Sequence, residues 1–457
     1  MSTGNFTFLC RTKIGFGMNG LEHLPFDLFS MGSQKPLVLL DKDAHLGGCT
    51  KPLIRAFKES GMTLGICPPL HGDPDADKEI EFLKTIYKIY TDKGFDAIIA
   101  LGTGKVVDLA KALNIAVTLG PDTLKTGALK TIALKTIALK TIALKTGALK
   151  TDNLKTTDIT RITQPLAPFA YIPTGMGTGM ETDTIAQFNG NTFSSPFLAP
   201  DLAIIDPQIL TRDTSDTLIN ASLTCLSACC EAHVLSGNPP ARAYCATGIE
   251  LIMENFLPLA TLIACQEAPD IKSGIKSGIK SGNKLNKKTA GSHLARLTHA
   301  SVITGIILSN CKELLSVPFG KLLANHCSVS PGQAMAILVP TILDLLAKDR
   351  AALGNLALAL AGPDEFCTIP GPQRPGVAIQ KIQSLLNEIY RISLGTTPRT
   401  LADTPLDKQA ISGLAQTLFS HEPPGTDIQG TDPKQAQAIL AHALDGLPHN
   451  SDCLKPA

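Results

Sequence analysis

Over the first two hundred positions, apolar residues come in short unbroken runs separated by amphipathic stretches. "KPLVLLD" (35–41) is such a run. It is followed by the helix-like "CTKPLIRAFKESG", closed by glycine, and by "DADKEIEFLKTIYKIYTDKG", whose acidic start and lysine-glycine end suit the helix dipole. "FDAIIALGTGKVVDLAKALNIAVT" (95–118) then places a buried strand, a glycine turn and a helix in one sweep. Strands buried on both faces and alternating with helices predict a parallel sheet covered by helices on each side. After "PDLAIIDPQIL" (200–210) the strand signal fades. Helical text with apolar residues three and four apart takes over in "SDTLINASLTCLSACCEAHVLSG", "ARAYCATGIELIMENFLPLATLIACQEA", "AILVPTILDLLAKDRAALGNLALALAG" and "DPKQAQAILAHALDG". The pattern predicts an α/β domain over 1–206 and an all-helical domain over 207–457.

Two low-complexity stretches interrupt this plan. "LKTIA" or "LKTGA" recurs every five residues in an insertion of about 121–160, and "IKSG" every four in one of about 270–288. Five residues advance a helix by about 500°, so successive leucines share no face and no amphipathic helix results. Both stretches are expected to be solvated insertions without chemistry.

Composition narrows the function. A chain of 457 residues, 44% apolar, is long enough for two or three cored domains. Its 41 basic and 40 acidic residues nearly cancel, which argues against nucleic acid or an anionic membrane as partner. The twelve cysteines lie in apolar helical text without a CxxC pair, as expected of reduced thiols in a cytoplasmic protein. No signal-like segment opens the chain, and no eighteen-residue window is wholly apolar.

Ligands of doubly wound sheets collect at the carboxyl ends of the strands, which selects the turn from Gly102 to Lys105. There glycine lets the backbone approach a phosphate, the amides opening the next helix face it, and Lys105 adds positive charge. Asp41 closes the first long strand, where an acidic group can hold a ribose hydroxyl or, equally, cap a helix. A second glycine-rich run, "IPTGMGTGMETD" (172–183), follows another strand-like segment.

These segments together resemble the iron-containing, group III alcohol dehydrogenase family. "DAIIALGTGKVVDLAKA" is similar to its strand, GGGS turn and DxxK helix, "IPTGMGTGMETD" to its PTTxGTGSE segment, and "PDLAIIDPQIL" and "SNC…PGQAMAILVP" to two further landmarks. The resemblance implies a Rossmann-like α/β domain followed by a helical domain, the dehydroquinate synthase-like architecture, with the site in the cleft between them. It implies NAD(P)-dependent alcohol and aldehyde interconversion in a homo-oligomer. It assigns Gly102, Thr103, Gly104, Lys105 and Asp108 to the pyrophosphate turn and its helix, Thr174 and Thr178 to the nicotinamide side, and Asp41 to a preference for NAD over NADP.

The sequence also departs from the family. Thr103 replaces a glycine, Lys105 and Met180 replace serines, and Gly175 replaces a threonine. A β-branched Thr103 tolerates a positive φ poorly, so the turn is expected to be reshaped. The family's metal ligands, an aspartate and three histidines, fall on Thr224, Ala228, Val317 and Pro331. None of these is a ligand for a hard cation, and His233, His293, His299 and His326 have no metal spacing with carboxylates, so no bound metal is expected. Lys321 takes the place of a further family histidine near the nicotinamide and is the candidate replacement electrophile, against an ordinary solvated lysine. A degenerate binding or assembly protein, pairing with an active paralogue, is the alternative to a metal-free oxidoreductase.

Overall fold

The computed structural model describes residues 6–70, 76–121, 162, 164–189, 191–210, 214–267, 287–311, 314–347, 349–406, 411, 413–416 and 433–445. Both repeat insertions lie almost wholly outside them. Chain order in the first half is β1 (Lys13–Phe16), α1 (Leu24–Ser30), β2 (Pro36–Leu40), α2 (Lys42–Leu46), α3 (Thr50–Phe57), β3 (Gly65–Ile66), α4 (Ala76–Asp92), β4 (Ala97–Gly102), α5 (Lys105–Leu119), β5 (Phe169–Pro173), β6 (Ile185–Phe188), β7 (Asn191–Ser194) and β8 (Leu202–Ile205). Six strands form one parallel sheet in the order β1-β8-β5-β4-β2-β3, while β6 and β7 make a separate antiparallel hairpin.

The unbroken apolar runs make physical sense in this sheet, because alternate residues supply two cores. Leu37, Leu39, Ile98, Ala100, Phe169 and Tyr171 point to the α4 and α5 side. Val38, Leu40, Ile99, Leu101, Ala170 and Ile172 point to the α1 and α3 side. After β2 the chain runs outward to β3, then returns to lay β4 on the other side of β2. The order therefore reverses between β2 and β4, and the crevice at their carboxyl ends is flanked by Asp41 and Gly102.

The second half is helical: α6 (Ser215–Leu235), α7 (Pro239–Glu267), α8 (Lys287–Asn310), α9 (Ser316–Cys327), α10 (Pro331–Leu346), α11 (Arg350–Thr368), α12 (Arg374–Ile392) and α13 (Pro433–Asp445). By length and composition α6 and α7 could each cross a membrane, with mean hydropathy of 1.4 and 1.5. The α6 apolar surface, Leu218 to Val234, instead packs into the helical core beside Cys245, Ile249, Ile252, Leu297 and Ile307.

Several elements differ from the sequence expectation. The stretch 336–362 is not one helix, because Asp349 caps a new one by accepting from Ala351 N and Ala352 N at 2.9 and 3.1 Å. Helices α8, α9 and α12, strand β1 and the β6–β7 hairpin were not singled out by the pattern. The amino-terminal residues also reach across into the helical half. Leu9 N donates to Asn310 Oδ1 at 2.7 Å, and the Phe8 ring stacks on Tyr244 at 5.7 Å.

Candidate active site

The turn after β4 is built on two glycines. Gly102 and Gly104 have φ of +144° and +48°, whereas Thr103 does not enter the left-handed region. Thr103 is spared a positive φ because its flanking glycines carry it. Asp41 holds the turn in place. Its Oδ1 accepts from Ala44 N at 2.7 Å, capping α2, and its Oδ2 accepts from Thr103 N at 2.9 Å. A Cβ on Gly102 would lie 2.2 Å from that carboxylate, so glycine is required here twice over. Tyr171 adds a hydrogen bond from its hydroxyl to Gly102 O at 3.1 Å. No side chain caps α5, whose amino-terminal amides follow Gly104 directly. Of the two roles open to it in sequence terms, Asp41 fills the helix cap, and its second oxygen ties down the glycine turn.

Asp108 and Lys111 stand one turn apart on α5. Lys111 is fully buried, and its Nζ donates to Asp183 O at 2.9 Å and Ile185 O at 2.6 Å, fixing the chain between the glycine-rich run and β6. Burial lowers its pKa, with Asp183, Asp108 and Glu181 opposing. Asp108 Oδ1 accepts from Gln187 N at 2.9 Å, and burial raises its carboxyl to about 6, with Lys111 the largest opposing group. Lys321, on α9 in the helical half, lies within electrostatic range of this cluster. The residue is exposed overall, yet crowding around its ammonium lowers its pKa, while Asp183 and then Asp108 oppose the change.

The run "IPTGMGTGMETD" is held by helices α6 and α8. Gly179 N donates to Ser301 Oγ at 3.1 Å, and Thr182 Oγ1 donates to Val302 O at 2.8 Å. Ser301 Oγ also contacts both oxygens of fully buried Glu181 at 2.8 Å, and burial raises that carboxyl to about 7. Gly179 and Gly305 lie in backbone contact, since a Cβ on Gly305 would fall 1.9 Å from Gly179 O. Thr174 is buried and Thr178 half-buried within this clasp. A further carboxylate, Glu231 of α6, accepts from Leu315 N at 2.6 Å and Ser316 N at 3.0 Å and so caps α9, the helix of Lys321. Its carboxyl is raised to about 7 by burial.

Residues 11–158 match the family model described as iron-containing alcohol dehydrogenase. That match spans about a third of the chain. The chain is 23% identical to the NAD-dependent methanol dehydrogenase of Bacillus methanolicus across 53% of this chain and 57% of that one. It is 24% identical to the choline dehydrogenase of Bacillus subtilis across 44% of each. The chain thus spans about half the length of these curated relatives. Over nearly the whole chain the fold is that of solved family structures. The 1,3-propanediol oxidoreductase superposes with a TM-score of 0.68 at 17% identity, covering 96% of this chain and 100% of the other. The iron-containing alcohol dehydrogenase of Thermococcus thioreducens gives the same figures for score, identity and coverage of this chain.

Thr224, Ala228, Val317 and Pro331, the positions expected from the resemblance to match the family's metal ligands, offer no strong donor to a divalent ion. Thr224 Oγ1 donates to Asn220 O at 2.8 Å, Ala228 and Val317 are hydrocarbon, and Pro331 opens α10. The helix crossing is also closed at this point. Gly332 N donates to Asn220 Oδ1 at 2.9 Å, and a Cβ on Gly332 would lie 2.6 Å from Thr224 Oγ1. Among the described residues no group of three or more His, Cys, Asp and Glu is placed to hold a metal. The histidines serve packing instead: His299 lies edge-on to Phe16 at 3.8 Å, His293 Nδ1 is 2.9 Å from Asn255 Oδ1, and His233 Nδ1 is 3.4 Å from Arg242 O.

The structure therefore places Asp41, Gly102, Thr103 and Gly104 at one crevice, with Asp108 one turn into α5 and Lys321 within electrostatic range of it. Lys105 opens α5 beside them. Sequence reasoning missed Lys111, Asp183, Glu181 and Glu231. The three-residue step from Asp108 to Lys111 was the one signal available for the first of these.

Proposed function

We propose that this chain is an oxidoreductase that interconverts small alcohols and aldehydes with NAD and without a bound metal. The observation that carries the reading is the glycine turn held by Asp41 ahead of an uncapped helix, with Lys321 of the helical half within electrostatic range of Asp183 and Asp108. The turn suits a dinucleotide: it has two left-handed glycines, an uncapped helix start and Asp41 at the switch point. Asp41 would hold the adenosine ribose and disfavour a 2′-phosphate, hence NAD rather than NADP. Bound NADH would supply the hydride that reduces a carbonyl carbon.

The chain's residues do the rest. As the carbonyl carbon gains the hydride, the C=O π pair moves onto oxygen, and Lys321 Nζ donates the proton that completes the alcohol. An ammonium with a lowered pKa is a stronger acid for this transfer, and Asp183 and Asp108 hold it cationic and in place. In the reverse direction the neutral amine takes the alcohol proton. Lys321 thereby supplies the charge stabilisation that a Lewis-acid metal gives in other alcohol dehydrogenases.

Purified protein is expected to reduce short aldehydes with NADH at a rate that chelator does not change. Loss of turnover on adding chelator, with recovery on adding ferrous ion, overturns the metal-free mechanism. Failure to reduce any aldehyde in the panel, with NADH bound, favours the assembly-protein reading instead. That reading rests on the same vacancy of donors at Thr224, Ala228, Val317 and Pro331.

A further inference from the structure

Far from the sheet crevice, a cavity of about 410 Å³ opens among α10, α12, α13 and the loop at 399–403. One side is apolar, formed by Ile337, Pro340, Leu386 and Ala443. The other carries Thr341, Gln383, Asn387, Arg399 and Asp403. Its size falls in the range of small-molecule sites.

The polar groups are incompletely used. Thr341 is 2% exposed and lines the cavity, yet its hydroxyl has no hydrogen bond, not even the bond to the preceding helical turn that buried Thr298 and Thr304 make. The Gln383 amide likewise has no partner. Buried polar groups are normally paired, and one facing a cavity without a partner marks a place where a ligand atom or water belongs.

The charged pair is half-used. Asp403 Oδ2 accepts from Arg399 N and Thr400 Oγ1 at 3.1 Å and Thr400 N at 3.0 Å, and stands 3.6 Å from Arg399 Nε. Its Oδ1 has no hydrogen bond. Arg399 lies over the Tyr390 ring at 4.5 Å, and its Nη1 reaches Asn387 Oδ1 at 3.5 Å, while Nη2 makes no bond. One free acidic oxygen and one free guanidinium nitrogen thus border the same cavity, next to amide donors and an apolar wall.

We infer that this cavity binds a free α-amino acid with an apolar side chain. The ligand carboxylate meets Arg399 Nη2 and the amides of Gln383 and Asn387, and its ammonium meets Asp403 Oδ1. The side chain packs on Ile337, Pro340, Leu386 and Ala443. A dipolar, net-neutral ligand matches a paired cation and anion, where a simple anion or cation would meet one like charge. This inference is independent of the proposed reaction.

The test is calorimetric titration of the full chain, without cofactor, with leucine, with 4-methylpentanoate, which lacks the ammonium, and with isopentylamine, which lacks the carboxylate. Leucine is expected to bind, each analogue at least about tenfold more weakly. R399Q and T341V are expected to weaken leucine about tenfold and severalfold, with thermal unfolding confirming that both fold. T341V keeps the Thr400–Asp403 cap intact, so its result stands if R399Q unfolds. No heat from leucine at 20-fold excess over about 1 mM overturns the inference, as does equal binding of 4-methylpentanoate or leucine binding unchanged in T341V.

Discussion

Lys321 can be tested alone because its side chain supports no other element. K321M retains the aliphatic stem and removes the ammonium. It is expected to lower turnover by about 10²-fold or more while NADH binding by fluorescence is unchanged. Undiminished turnover removes Lys321 from the mechanism. The buried carboxylates make a separate prediction about pH. Glu181 and Glu231 are both raised to about 7, against an ordinary value of 4.5. A carboxyl whose folded pKa is raised binds its proton more tightly in the native state. Its contribution is fully present below pH 4.5 and is lost as pH rises through 7. Denaturant melts from pH 4.5 to 7 are therefore expected to show stability falling with pH, by at most about 1.4 kcal/mol per unit for each group. E181Q, neutral throughout, is expected to flatten that slope. An unchanged slope in E181Q shows that Glu181 does not titrate in this window. Neither residue was legible in the sequence as a titrating group, since burial, not residue type, raises its pKa.

At the scale of elements, the glycine-rich run between β5 and β6 reads in sequence as a ligand cradle, and the structure also shows it to be a docking strip. Its contacts are to α6 and α8, through Ser301, Val302 and Gly305. The sequence contained Gly305 only as an isolated helical glycine, whose reason lies 126 residues away in Gly179. G305A is expected to force the two backbones apart and to cost about 1–3 kcal/mol in denaturant melts. A loss below about 0.5 kcal/mol shows that the contact can relax. Helix boundaries followed the same logic. Periodicity alone ran α10 and α11 together because the break is made by the Asp349 cap and not by a glycine or proline. Asp41 serves as the helix cap, and its other oxygen holds a second amide 59 residues further along the chain.

At the scale of the whole molecule, Asp41 and Gly102 stand at the carboxyl edge of the sheet and Asp108 on α5, and Lys321, on a helix capped by Glu231, lies within electrostatic range of Asp108. A ligand that bridges them stabilises the assembled chain. Saturating NAD, at about 100 times its dissociation constant, is expected to add about 2.7 kcal/mol to unfolding. A melting temperature indifferent to NAD denies cofactor binding.

The sequence alone determined the layer order and the place of the glycine turn, because hydrophobic period and glycine position are local properties of the chain. It also determined the side chains carried at Thr224, Ala228, Val317 and Pro331, because side-chain chemistry travels with the residue. Only the tertiary structure decided which groups meet: Lys111 with the carbonyls of Asp183 and Ile185, Gly179 with Gly305, Glu231 with the start of α9. Those pairings span long stretches of chain, and their distances and pKa shifts come from how helices close over the sheet, which no local pattern encodes.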